Sequence, residues 1–69
     1  MKSFGTVKWY NDKLGYGFVA QDLGGEDVFV SSTVVREGCC GILEQGDKVK
    51  FDTTQARRGL RAVTIERDT

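Results

Sequence analysis

Apolar and polar positions alternate with a period of two along almost the whole chain, the pattern of half-buried strands. Residues 4–10 are rich in β-branched and aromatic side chains, and Asn11, Asp12 and Lys13 then supply a turn. Residues 16–21 make a second run, closed by Asp22 and the Gly24–Gly25 pair, a good hairpin turn. A third run covers 27–31. Residues 48–53 alternate again, with Val49 and Phe51 on one face. A polar, basic loop is expected over 55–59 and a last strand over 60–66. No window repeats apolar residues at i, i+3, i+4 and i+7 for long enough to make a sizeable helix. The stretch 33–46, punctuated by Gly38, Gly41 and Gly46, is therefore expected to be irregular. Short strands joined by glycine turns predict an all-β fold, a small closed or nearly closed barrel that hides its strand edges.

Alternation also sorts the side chains of the second and third strands. Tyr16 and Phe18 point one way, Gly17 and Val19 the other; Val28 and Val30 share a side opposite Phe29 and Ser31. A thin barrel places the aliphatic Val19, Val28 and Val30 inside. That leaves Tyr16, Phe18 and Phe29 outside, with Trp9 of the first strand beside them. The opposite arrangement needs a second layer to cover the valines, and the chain is too short to provide one. An exposed aromatic patch marks a binding surface.

The 69 residues form a single domain, 1–69, with a thin core. Ten Lys and Arg balance ten Asp and Glu, so the chain does not grip polyanions by bulk charge. A local basic patch remains open. Lys8 and Lys13 flank the rings, and Arg57, Arg58 and Arg61 add positive charge near the last strand, while most acids fall elsewhere, at Glu37, Glu44, Asp47, Asp52, Glu66 and Asp68. Rings that stack on bases, beside cations that meet phosphates, suit a binder of single-stranded nucleic acid.

Other classes fare worse. There is no His, the commonest general base and metal ligand, and no phosphate-cradling loop of the Walker type. No catalytic role, cofactor or metal is expected. Cys39 and Cys40 are adjacent, too close for a strain-free disulfide, and read as reduced thiols of a cytoplasmic protein. No apolar run approaches a membrane span.

Three strings carry a resemblance: Gly5-Thr-Val-Lys-Trp-Tyr-Asn11, Gly15-Tyr-Gly-Phe-Val19 and Asp27-Val-Phe-Val30. Together with 38–46 as a long loop and 46–51 as a fourth strand, they resemble the bacterial cold-shock proteins over essentially the whole chain. The second string also fits the RNA-recognition motif, but there the motifs come in the reverse order and two helices are required. The resemblance implies a five-stranded antiparallel OB-type Greek-key barrel that binds single-stranded RNA and DNA on an aromatic face, without ATP, as an RNA chaperone or regulator of gene expression. It assigns base stacking to Trp9, Tyr16, Phe18 and Phe29, polar base contact to Asp27 and backbone contact to Lys8, with Arg58 and Arg61 lining the groove and Tyr10 at its edge.

Departures from the family pattern are specific. Its usual His-Phe is Ser31-Ser32 here, Cys40 falls where a further aromatic commonly sits, and Leu14 replaces a Lys, the basic residue moving to Lys13 as in the animal Y-box type. These losses bear on affinity rather than fold. A monomer is expected, with a strand-exchanged dimer as the alternative. A depleted face serving protein contact or self-association is the second functional reading.

Overall fold

The computed structural model describes residues 3–38 and 43–68, so Cys39, Cys40 and the middle of the expected long loop lie outside the described residues. Strands β1 (Ser3–Asn11), β2 (Tyr16–Gln21) and β3 (Val28–Ser31) precede a helix, α1 (Ser32–Gly38), and strands β4 (Lys48–Ala56) and β5 (Gly59–Arg67) follow it. The strands close into a barrel in the order β1-β2-β3-β5-β4. Every pairing is antiparallel except the closure, where β3 and β5 run parallel with Phe29 opposite Arg61.

Two expectations need correction. The basic loop over 55–59 does not exist as a loop: Gln55 pairs with Leu60 and Ala56 with Gly59, so only Arg57 and Arg58 form the turn. Gly59 holds φ at +127°, a conformation that L side chains rarely adopt. This hairpin lacks the apolar alternation by which strands were read, because its residues are half-buried or exposed. The second correction is α1, in a stretch expected to be irregular. Ser31 Oγ accepts a hydrogen bond from Val34 N at 3.4 Å, the N-cap arrangement. Val35 is fully buried and Val34 packs partly against the core. Two adjacent β-branched anchors on a seven-residue helix leave no helical period to detect.

The core is small and aliphatic. Val7, Val19, Val28, Val30, Val49 and Ile65 fill the barrel around Phe51, its one fully buried ring among the described residues. Val19, Val28 and Val30 point inward as the alternation requires, and the rings of β2 and β3 take the other face.

Strand β1 breaks this alternation once. Its register on β2 shifts between Val7, opposite Val19, and Trp9, opposite Phe18, leaving Lys8 as the extra residue of a bulge. Lys8 and Trp9 are consequently both exposed, and Tyr10 turns back against the core. Gly17 makes the close approach possible. A Cβ there would collide with the Trp9 carbonyl and come within 2.8 Å of the Tyr10 ring.

Candidate nucleic-acid interface

The bulge, the β2–β3 ladder and the parallel closure converge on one face. Phe18 and Phe29 are cross-strand partners, and Tyr16 pairs with Ser31. Tyr16 is the hub of the rings: its centroid lies 5.4 Å from Trp9, 6.1 Å from Phe18 and 5.6 Å from Phe29, with which it is stacked at 22°. Phe18 meets Phe29 edge-on at 5.9 Å. These separations are those of favourable ring pairs, so the cluster braces itself while staying accessible. Trp9 is 40% and Phe18 36% exposed, whereas all the core residues are at or below 3%.

Tyr16, Phe18 and Phe29 form the floor of a groove of about 840 Å³. The β4–β5 hairpin forms its wall through Ala56, Arg57, Arg58, Gly59, Leu60 and Arg61, and Asp27 also lines it. Sequence reasoning pointed to Arg58 and Arg61 here but missed Leu60, which packs partly against the core and gives this cationic wall an apolar element. An isolated Leu between Gly59 and Arg61 was its only signal.

Charge pairing explains how a neutral chain acquires a positive groove. Outside it, Arg36 pairs with Asp12, Lys48 with Asp22, Lys50 with Glu66 and Arg67 with Asp47, at 3.4–4.0 Å. Arg57, Arg58 and Arg61 have no carboxylate partner among the described residues. Three arginines and one carboxylate, Asp27, thus line the groove, which is net positive on a chain of zero net charge.

The remaining assigned residues behave differently from one another. Lys8 Nζ binds Asp27 Oδ2 at 3.0 Å, so the expected backbone contact and the expected base contact hold each other across β2. Lys13 is exposed in the turn after β1 and is not among the residues lining the groove. Tyr10 is not at the groove's edge. Its hydroxyl is buried with no hydrogen-bond partner among the described residues. Burial, and then Asp12, raise its pKa above the ordinary 10.0, against an opposing pull from Arg36. Ser31 keeps its place beside Tyr16 but uses its hydroxyl to cap α1. Ser32 N donates to Gly15 O at 2.8 Å, tying the helix start to the turn before β2. The described residues contain no group of three or more Cys, Asp or Glu able to hold a metal ion, and no helix long and apolar enough to cross a membrane.

Residues 3–67 match the family model described as 'Cold-shock' DNA-binding domain. The chain is 44% identical over 61 residues to cold shock-like protein CspA of Stigmatella aurantiaca, covering 88% of this chain and 90% of that one. It is likewise 44% identical over 61 residues to cold shock protein ScoF of Streptomyces coelicolor, with 88% and 91% covered. Cold shock protein CspC of Bacillus subtilis is 38% identical over 63 residues, with 91% and 94% covered.

Proposed function

This chain belongs to the cold-shock domain family, a family of nucleic-acid-binding proteins rather than enzymes, and from that premise we propose that its groove binds single-stranded RNA and DNA. The observation that carries the reading is the combination of a four-ring face, with Trp9 and Phe18 exposed and Tyr16 and Phe29 half-buried, and three arginines at the groove wall that have no carboxylate partner among the described residues. Bases stack on Trp9, Tyr16, Phe18 and Phe29, and Arg57 and Arg58 of the hairpin turn meet phosphates. Lys8 and Asp27 serve the same strand at the β2 side. Stacking needs unpaired bases with exposed faces, so a single strand fits where a duplex does not. Bases held on rings cannot pair. Hairpins in a bound transcript therefore melt by mass action, which is the work of an RNA chaperone. The protein acts as one domain and as a monomer, supported by a closed barrel, and it works in the cytoplasm.

Fluorescence of Trp9, the sole Trp, tests this directly. Titration with a short pyrimidine-rich single strand quenches its emission, and a matched duplex does not. Absence of quenching at low salt would refute the reading.

A further inference from the structure

Phe29 is flanked by two groups of opposite hydrogen-bonding character. Asp27 lies two residues before it, and Arg61 is its register partner on β5; all three line the groove. A carboxylate only accepts hydrogen bonds and a guanidinium only donates them. Lys8 occupies Asp27 Oδ2, and Oδ1 has no bond to another described residue. Arg61 likewise has no carboxylate partner among the described residues.

Building on the reading of this groove as a single-strand site, we infer that the base stacked on Phe29 is selected as guanine by Asp27 and Arg61. Guanine carries its donors, N1–H and the N2 amino group, beside its acceptors, O6 and N7, on adjoining edges. A guanine lying on Phe29 turns the donors toward Oδ1 along the strand and the acceptors toward the guanidinium across the ladder. The second contact is the bidentate pairing that arginine makes with this base. Adenine sets an amino donor beside N7, opposing it to the donor-only guanidinium. Thymine and uracil present one donor between two carbonyl oxygens, which repel the carboxylate. Cytosine has its donor and acceptors on a single edge, where the two protein groups would crowd.

Arg57 and Arg58 line the same groove from the hairpin turn. Arg61 sits within the ladder, and a residue on a regular element is held more accurately than one on a loop. Lys8 acts as a positioning residue, because its bond to Oδ2 orients the carboxylate and leaves Oδ1 to the base.

The test uses short thymine oligomers in which one central base is varied. The guanine oligomer binds about tenfold more tightly than its thymine, adenine and cytosine counterparts, the size of one good bidentate contact. Replacing that guanine with 7-deazaguanine, which lacks the N7 acceptor, or with hypoxanthine, which lacks the amino group, removes part of the advantage. Arg61→Lys keeps the charge but not the fork. It abolishes the guanine advantage, read as the ratio of affinities for the guanine and the all-thymine strands, so that any general weakening of binding cancels. Equal affinity for all oligomers, or a guanine advantage that survives both 7-deazaguanine and Arg61→Lys, would overturn the inference and leave single-strand binding intact. Failure to bind any oligomer would overturn the groove reading itself.

Discussion

At the scale of single residues, the separation between fold and binding is sharp. Phe18 is held only on the outer face, while Phe51 is fully buried in the barrel. Phe18→Ala is expected to weaken single-strand binding by about 1–3 kcal/mol, the value of one base–ring stack. Thermal unfolding followed by circular dichroism should show little change. Tyr10 makes the opposite prediction. Its hydroxyl is buried without a partner among the described residues, so Tyr10→Phe should raise stability by about 1 kcal/mol and leave binding unaltered. Its neutral form is the one favoured in the folded state. The stability held by that preference is complete below pH 10 and declines as pH rises from 10.0 through the raised folded value. Denaturant titrations at pH 8 and pH 10.5 should therefore show a smaller alkaline loss for Tyr10→Phe than for the parent chain. An equal loss in both would remove Tyr10 as the cause.

Between residue and fold stand the elements, and here the sequence was legible unevenly. The β2 and β3 rings and the inward valines could be read because strict alternation sorts them without further information. Alternation fails at Lys8 and Trp9, where the bulge lets two successive residues face outward and sends Tyr10 in. The only local sign of that bulge is Gly17 on the partner strand. Gly17→Ala is expected to destabilise the protein, measured as a lower denaturation midpoint, since the added methyl meets the Trp9 carbonyl and Tyr10. Helix α1 was illegible for another reason: it is anchored by Val34 and Val35 and started by a serine cap, features too short to show a period. The serines that replace the family's ring positions thus acquire a structural use. Ser31→Ala should cost about 0.5–1 kcal/mol, towards the weak end for an N-cap in view of the 3.4 Å bond. Restoring a ring at Ser31 must offset the same loss before it can strengthen binding.

For the molecule as a whole, the decisive quantity is where charge remains after pairing. Among the described residues, five cations are tied to carboxylates, Lys8 one of them, and the arginines of the groove are not. About two to four phosphate contacts follow, each contributing a slope of about −0.7 on a single strand, so log K should fall by about 1.5–3 per tenfold rise in salt. Net charge alone suggests no electrostatic share at all, which is why composition was a poor guide to the groove and pairing a good one. The central claim is that β2, β3 and the β4–β5 hairpin present one continuous binding face. Its most direct test is an amide chemical-shift map recorded while a short single strand is added to the isotopically labelled protein. The account predicts shifts concentrated at Lys8, Trp9, Tyr16, Phe18, Asp27, Phe29 and residues 57–61, with Phe4 and Lys50 on the β1–β4 face unmoved. Shifts centred on that β1–β4 face, with the rings silent, would contradict it.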